Sequence, residues 1–309
     1  MTLQQLEYIL SVARHGHFGR AADACNVTQP TLSAMIGKLE EEIGAKLFDR
    51  NRQPICPTQV GERVIAQARE VLNQADSIKD IVHEEKQSLG GIFRIGILPT
   101  IAPYLLPRFF PQMMKKYPTL DIRVREMKTY QIKEALIQGD IDAGILATIE
   151  GLEEYEQTTL FYEKYIGYVS REDALFKKEV IRTADVASSR ELWLLDEGHC
   201  FRDQMVRFCQ MKSSQTSQLA YNLGSMETFM RMVESGMGIT FIPELAEMQL
   251  SDPQRELVRP FAIPIPTREL VLITRRDFIR QTLLDTVVKE IQASVPKAML
   301  KLGAGQVLV

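Results

Sequence analysis

The sequence predicts an α + α/β protein in which a small helical head and a long helix precede a larger α/β domain. Three patterns support this prediction. Residues 1–57 carry short amphipathic helices separated by a tight turn, residues 58–89 carry a heptad repeat of apolar side chains, and residues 90–309 alternate between strand-like and helix-like segments.

The composition limits the classes of protein to which the chain can belong. With 309 residues, of which 45% are hydrophobic and 25% charged, it is long enough for two or three globular units. No apolar run reaches the length of a bilayer span, and Met1 leads directly into amphipathic sequence, so we predict a cytoplasmic protein with no membrane partner. The cysteines form no CxxC pair, and neither a metal site nor a cofactor is predicted. A net charge of −3 gives no general support to nucleic-acid binding.

The head has the spacing of a helix-turn-helix. An apolar stripe from Leu3 to Ala13 indicates a first helix, and residues 20–25, a turn at 26–27 and a helix from Thr28 to about Ile43 follow. Thr28 can cap the last helix, which enters the major groove N-terminus first in this motif. The residues predicted on its DNA-facing surface are Gln29, Pro30, Thr31, Ser33 and Lys38.

Two stretches of the head, from Phe18 to Ser33 and from Lys38 to Arg50, carry a family resemblance. They are similar to the DNA-binding domain of LysR-type transcriptional regulators. The resemblance implies a winged helix-turn-helix that binds double-stranded promoter DNA, with Arg50 and Arg52 of the wing contacting phosphates. Because basic and acidic residues balance in residues 1–57, a solvated loop without a DNA contact is the alternative for these two arginines.

Residues 58–89 are predicted to form one long helix that pairs with a second copy of the chain. Apolar residues recur at spacings of three and four, which places them on one seam. The seam residues are Val64, Ala68, Val71, Ala75, Ile78 and Val82. An amphipathic helix folded back on its own domain is the alternative. The resemblance favours the linker helix of a homodimer and implies assembly into a homotetramer.

Residues 90–309 alternate β and α segments over short loops, which predicts parallel sheets with helices on both faces. Strands are predicted at 92–98, 120–125, 141–147, 165–169, 192–195, 220–223, 239–242 and 269–274, and helices at 103–117, 130–138, 201–210, after Ser225 and from about 279. Two such sheets resemble the effector domain of LysR-type regulators, which is built like a periplasmic binding protein. The implied subdomains are residues 90–163 with 268–309, and residues 164–267, with ligands bound around Pro99-Thr100.

Cys200 and Cys209 lie nine positions apart in a segment with helical character. Nine residues of helix span about 2.5 turns and about 13 Å, so the sulfurs would lie on opposite faces. A disulfide needs Cα atoms within about 7 Å, so it would require the helix to unwind. The helix N-terminus, with His199 and Arg202 beside Cys200, predicts a thiolate there. The alternative is that both cysteines are small buried side chains.

The segment from Glu197 to Cys209 resembles the sensing segment of peroxide-responsive LysR-type regulators. The resemblance implies that hydrogen peroxide oxidises Cys200, which then forms a reversible disulfide with Cys209. The implied pocket residues are Thr100, Thr129, His199, Asp203 and Arg275. The neighbouring Arg276 leaves the register of the arginine open, and Asp203 is either a residue that orients peroxide or an ordinary first-turn acid. Taken without this resemblance, Thr100 would be a capping or turn hydroxyl.

The resemblance implies a regulator, not an enzyme, that is activated by peroxide and controls oxidative-stress defence genes. The resemblance also implies RNA polymerase as a partner. A second hypothesis is a LysR-type regulator that binds a small organic inducer in its cleft, with inert cysteines. A third is a thiol peroxidase, although a fused DNA-binding head argues against turnover.

Overall fold

The computed structural model of the chain describes residues 1–86, 89–187, 192–195, 200–209 and 225–309. It divides into two compact units, Met1–Lys86 and Gln87–Val309, which are described separately. Within the described residues, no helix has the length and apolar character that crossing a membrane requires.

The N-terminal unit is a winged helix-turn-helix followed by a long helix, as the sequence predicts. Its elements are α1 (Leu3–His15), α2 (Phe18–Ala24), α3 (Gln29–Ile43), β1 (Phe48–Asp49), β2 (Cys56–Pro57) and α4 (Gln59–Glu85). β1 and β2 pair antiparallel, with Phe48 opposite Pro57, and form the wing.

Local sequence explains how the helices of this unit end and pack. Gly16 and Gly44 follow α1 and α3 with φ of 58° and 75°, a conformation that glycine adopts without strain. The Thr28 side chain accepts a hydrogen bond from the backbone N–H of Thr31 at 3.4 Å and caps α3 as predicted. Ile9 and Leu32 are fully buried, and such a side chain contributes about 1.5–3 kcal/mol of burial free energy.

The larger unit alternates strands and helices through most of its length. Its elements in chain order are β3 (Gly91–Ile97), α5 (Ala102–Lys116), β4 (Leu120–Glu126), α6 (Thr129–Gln138), β5 (Ala143–Ala147), β6 (Tyr155–Val169), a 3-10 helix (Ala174–Lys177), α7 (Thr183–Ala187), α8 (Cys200–Phe208), α9 (Met226–Glu234), β7 (Ile239–Pro243), α10 (Glu244–Glu247), α11 (Asp252–Arg255), β8 (Val258–Arg259), β9 (Ile265–Arg275), α12 (Gln281–Ser294), a second 3-10 helix (Lys297–Leu300) and β10 (Gln306–Leu308).

The strands form mixed sheets and not the parallel sheets that the sequence predicts. β3 is parallel to β4 and to β5. By contrast, β9 is antiparallel to β5 and β6, and β7 is antiparallel to β6. The prediction is wrong for these strands because long antiparallel strands, and not helical crossovers, connect the two halves of the unit.

β6 belongs to both halves of the larger unit. Residues from Tyr155 to Lys164 pair with β9, and residues from Tyr165 to Val169 pair with β7. The predicted strand 165–169 is therefore only the second part of β6. The first part escapes prediction because residues 156–159 are all polar and interrupt the apolar alternation.

For the second half of the larger unit, the sequence also predicts two strands and a helix cap. Leu192 makes a single β-bridge with Ile239, so residues 192–195 do not form the predicted strand. The predicted strand at 220–223 lies outside the described residues. Ser225 precedes α9 as predicted, but its side chain makes no capping hydrogen bond. One buried apolar cluster, which includes Phe93, Phe161 and Phe241, extends through both halves.

Candidate redox site

One face of α8 lines a cavity, and Cys200 lies on that face. Cys200, Asp203, Gln204 and Arg207 are spaced three and four residues apart and so form one stripe of the helix. All four line a cavity of about 600 Å³. Cys200 and Gln204 are buried, with 7% and 6% of their surfaces exposed, whereas Asp203 and Arg207 are exposed to solvent.

The opposite face of α8 packs into the core. Phe201 and Met205 are buried, and the Phe201 ring lies 4.7 Å from the Tyr165 ring, measured between centroids. Phe208 packs edge-on against Phe261 at 5.9 Å. These contacts require α8 to be helical, because they arise from residues spaced about one turn apart.

Cys209 directly follows α8 and lies on its core-facing side. Its N–H donates to the Met205 carbonyl at 3.0 Å, which continues the helical pattern. Both Cys200 and Cys209 are free thiols, and burial raises the pKa of Cys209 to about 12. Nine residues of helix separate the two Cα atoms by about 13 Å, well beyond the limit of about 7 Å for a disulfide. The helix therefore keeps the two thiols apart.

Thr129, the first residue of α6, lies beside Cys200 in the cavity. Hydrogen bonding from its buried hydroxyl lowers the pKa of Cys200, and among the described residues this oxygen has no nitrogen or oxygen partner. Since Cys200 opens α8 and Thr129 opens α6, two helix N-termini meet here, where they favour negative charge. The other lining residues are Tyr130, Lys133, Thr148, Ile149, Glu150 and Val309.

The pKa of Cys200 is raised, which contradicts the predicted thiolate. Burial of the sulfur raises it, and this effect exceeds the opposing effects of the Arg268 charge, the Thr129 hydroxyl and the Phe201 N–H. The charge of Asp203 raises it further. The prediction is wrong because it considered the helix N-terminus and the neighbouring charged residues. It did not consider that burial removes water from around the sulfur.

Arg268 is the buried cation whose charge lowers the pKa of Cys200. It was not among the pocket residues predicted from the sequence. Its side chain is 1% exposed and pairs with Glu163, with Nη2 and Nε at 2.7 and 2.9 Å from Oε2. It also donates to the side-chain and backbone oxygens of Thr100, each at 3.1 Å. The guanidinium lies 5.2 Å from the centre of the Phe201 ring. Burial opposes its charge, but Glu163 raises the pKa of Arg268, so it remains a cation beside the thiol.

The structure does not bring all the predicted pocket residues together. Thr100 holds Arg268 and is not among the residues that line the cavity. Arg275 pairs with Asp277 at 3.2 Å, and Arg276 donates to the Glu153 carbonyl. Arg275 lies seven positions after Arg268 in β9, which is about 23 Å along the strand. The assignment of Arg275 to the pocket is therefore wrong, because the strand pattern alone does not determine the register of β9. His199 lies outside the described residues.

Two sequence signals could have found the missed residues. Gln204 lies four positions after Cys200, so helical spacing alone places it on the same face of α8. Arg268 is a cation just before the apolar run at residues 270–273 of β9, and an ionised side chain that is buried in such a strand needs a partner. Within the described part of the chain, no group of three or more His, Cys, Asp or Glu side chains is arranged to hold a metal ion.

A second candidate surface lies on the N-terminal unit, at the start of α3. Gln29, Pro30, Thr31 and Lys38 are exposed, as a DNA-reading surface requires, and Ser33 is partly buried. The Thr28 and Thr31 hydroxyls lie 2.8 Å apart, so part of the Thr31 hydrogen-bonding capacity is already used within the protein.

The two wing arginines are held by neighbours in this unit. Arg50 stacks on the Phe18 ring at 4.9 Å. It also contacts Ser33 Oγ and Glu40 Oε2, each at 3.4 Å. Arg52 pairs with Asp49 at 3.3 Å, but its side chain remains 73% exposed. These contacts fix the wing against α3 and leave Arg52 the more accessible of the two for a phosphate.

Comparisons with known proteins identify the family. The bacterial regulatory helix-turn-helix protein, lysR family, matches residues 3–62, and the LysR substrate binding domain matches residues 86–296. The chain belongs to the LysR family.

Relatives of this LysR-family chain include regulators named for hydrogen peroxide. The hydrogen peroxide-inducible genes activator of Dickeya chrysanthemi is 34% identical over 275 residues, which cover 89% of this chain and 90% of the relative. The structure of OxyR from Porphyromonas gingivalis is 52% identical, with a TM-score of 0.66, and matches 71% of this chain and 99% of its own. A full-length OxyR variant from Pseudomonas aeruginosa is 33% identical, with a TM-score of 0.75, and matches 94% of this chain and 98% of its own.

The long helix α4 of this LysR-family chain has two different halves. In the first half, Ile65 and Ala68 are buried in the head, and Val71 packs against the same cluster. In the second half, Ile78 and Val82 are 65% and 48% exposed. The first half of α4 therefore packs on its own domain, which was the alternative prediction for this helix. The second half keeps an apolar surface that no described residue of its own unit covers.

Proposed function

We propose that this LysR-family chain is a peroxide-responsive transcriptional regulator, not an enzyme, that controls oxidative-stress defence genes. One observation carries the proposal: one free thiol opens α8 and a second directly follows it, with Cys200 facing a cavity and Cys209 in the core. The names of the relatives support the same function. Because promoter DNA is the proposed partner, we place the protein in the cytoplasm.

The proposed reaction oxidises two thiols and reduces peroxide to water. The Cys200 thiol loses its proton, the thiolate sulfur attacks one peroxide oxygen and the O–O bond breaks. The other oxygen takes up the released proton and leaves as water, so that Cys200 becomes a sulfenic acid. The Cys209 sulfur then attacks the Cys200 sulfur. The S–S bond forms, and the sulfenic oxygen leaves with the Cys209 proton as a second water.

Four described residues are proposed to support the first step. Arg268 stabilises the negative charge that develops on the Cys200 sulfur, and Thr100 with Glu163 holds Arg268 in place. The Thr129 hydroxyl lies beside Cys200 and has no nitrogen or oxygen partner among the described residues, so its oxygen can accept a hydrogen bond from peroxide. His199 and Asp203 remain proposed pocket residues, the first from the family resemblance and the second from its position in the lining of the cavity.

We assign three parts of the chain to three roles. Residues 1–57 bind DNA, 58–89 pair two copies, and 90–309 sense peroxide, with subdomains of 90–163 with 268–309 and of 164–267. The change of partner within β6, between Lys164 and Tyr165, supports this division. The exposed second half of α4 supports a homodimer, and the family resemblance supports a homotetramer and contact with RNA polymerase.

The protein's own side chains argue against an organic inducer at the predicted ligand loop. The Arg268 guanidinium, paired with Glu163, already binds both oxygens of Thr100. An inducer there would have to replace these two hydrogen bonds from a buried cation, each worth about 1.5–3 kcal/mol. A thiol peroxidase would perform the same first step but would need a reductant to restore the thiols continuously.

Thiol counting after stoichiometric peroxide separates these functions. We expect the full chain to lose two free thiols, Cys200 and Cys209, to consume about one equivalent of peroxide, and to change its footprint on promoter DNA. Cys25 and Cys56 serve as internal controls and should remain free. An unchanged thiol count would favour the inducer hypothesis, and sustained peroxide consumption would favour the peroxidase.

A further inference from the structure

Gln204 connects α8 to three separate parts of the larger unit. The Tyr165 hydroxyl donates to Gln204 Oε1. Gln204 Nε2 donates to the backbone oxygen of Thr148 at 3.3 Å and to the backbone oxygen of Val309 at 2.7 Å. Tyr165 belongs to β6, Thr148 follows β5, and Val309 follows β10. One side chain therefore joins the helix that carries both cysteines to strands of both halves.

The chemistry of the partners fixes the orientation of the Gln204 amide. Backbone oxygens can only accept, so the NH2 group must face Thr148 and Val309 and the Oε1 atom must face Tyr165. Burial raises the pKa of Tyr165, which keeps its hydroxyl protonated and able to donate. Both N–H groups and the carbonyl of the amide are thus used, at a site where Gln204 is 6% exposed and Tyr165 is 1% exposed.

These hydrogen bonds belong to the reduced form of the proposed switch. Gln204 lies midway between the two cysteines, and a Cys200–Cys209 bond requires the intervening helix to unwind. Unwinding rotates and moves residue 204 relative to the strands, so it breaks the arrangement in which one amide reaches all three partners. The oxidised form must then hydrate these buried polar groups or find them other partners.

We propose that Gln204 is a positioning residue that holds α8 in the reduced, helical form and thereby sets the reduction potential of the Cys200–Cys209 pair. The assignment rests on the proposed function, because it needs that disulfide to form. Gln204 reacts with nothing itself. Its hydrogen bonds oppose the unwinding that brings the two sulfurs together, so they make the disulfide easier to reduce and raise the oxidant level at which the switch operates.

The redox equilibrium of the full chain in glutathione buffers tests this assignment, with Gln204→Met as the first variant. Methionine has a similar length and fills the space without hydrogen bonding. We expect the disulfide to become more favourable by about tenfold or more, which is a shift of about 30 mV or more to a more negative potential. Tyr165→Phe removes one of the three hydrogen bonds and keeps the ring against Phe201, so it should shift the potential in the same direction by less.

A matched control separates positioning from general stability. Gln292 also lies in a helix and donates from Nε2 to a backbone oxygen, that of Thr159, at 3.1 Å. Gln292→Met should lower the unfolding midpoint and leave the potential unchanged. If Gln204→Met and Tyr165→Phe both kept the wild-type potential while the disulfide still formed, the assignment would be wrong and the proposed function would stand. A wild-type chain that formed no Cys200–Cys209 disulfide would overturn both. If Gln204→Met does not fold, the Tyr165→Phe result decides alone.

Discussion

α3 in the N-terminal unit and α8 in the larger unit both present functional candidates from their first turns, but they are held in place differently. α3 has 15 residues, a Thr28 hydroxyl cap at its start and an αL glycine, Gly44, at its end. Its core face is fully buried at Leu32 and Ile36. The helix is therefore specified by its own ends as well as by packing.

α8 depends on contacts made far along the chain. It has nine residues, and an isolated helix shorter than about 12 residues is marginal in water. Phe201, Gln204 and Phe208 tie it to Tyr165, Thr148 and Phe261. A helix held this way can unwind when a covalent bond offsets those contacts, whereas α3 has no such alternative. Under the proposed function, the DNA-reading helix is fixed and the redox helix can switch.

The largest effect is expected from Cys200→Ser. It should abolish the peroxide-induced change in the DNA footprint and leave binding by the reduced form nearly unchanged, because α3 lies in the other unit. Gln29→Ala is the complementary variant, and it should weaken DNA binding by about 1–3 kcal/mol while Cys200 still oxidises. Footprinting and thiol mass spectrometry check both. A Cys200→Ser chain that still changed its footprint on peroxide would place the sensor elsewhere.

The two halves of α4 should respond differently to the same substitution. Ile78→Asp places a charge on the exposed apolar surface, and if that surface pairs two copies, burying the charge should cost several kcal/mol and weaken dimerisation by at least about 100-fold. Val71→Asp is the matched control, and it should lower the stability of the head because Val71 packs there. Sedimentation at several concentrations and thermal unfolding measure the two effects. Unchanged sedimentation of Ile78→Asp would mean that the copies pair through another surface.

Features that depend on neighbouring residues are predictable from the sequence. Neighbouring residues predict the cap at Thr28, the turn before α3 and the helical segment around Cys200. The observed bounds of these elements differ from the predicted ones by a residue or two. The choice of partners for long strands is different, because it depends on contacts between distant segments. The first part of β6 and the antiparallel direction of β9 were not predicted for that reason.

The candidate site also contains residues that local sequence predicts and residues that only contacts between distant segments bring together. Cys200 and Thr129 were predicted and lie together, whereas Arg268 was missed and Arg275 was chosen in its place. The strand pattern of β9 identifies which residues are buried but not which of them lies opposite a particular loop. The direction of the Cys200 pKa also failed, because desolvation of the sulfur depends on the packed core and not on the residues beside it in the chain.

The raised pKa of Cys200 predicts a strong dependence of its oxidation on pH. Only the thiolate attacks peroxide, and below the pKa its fraction grows about tenfold per pH unit. The peroxide reaction of a Cys209→Ser chain should therefore accelerate about tenfold per unit between about pH 6 and pH 8. Asp203→Asn should raise the rate at fixed pH, since the Asp203 charge raises the pKa of Cys200. Stopped-flow kinetics, with Cys200→Ser as the background, would reject this account if the rate were flat over that range.

The smallest effect is expected from Thr28→Ala, which tests whether α3 is held by its end. Loss of the hydroxyl that accepts from the Thr31 N–H should lower the free energy of unfolding of the head by about 1 kcal/mol and weaken DNA binding by less than about tenfold. Thr28→Ser keeps the hydroxyl and should behave as the wild type. Urea unfolding and DNA titration measure the change, and the Cys200–Cys209 potential should stay constant in both variants. A shift of that potential in Thr28→Ala would show that the two helices are coupled in the reduced protein and would end the distinction between a fixed and a switching helix.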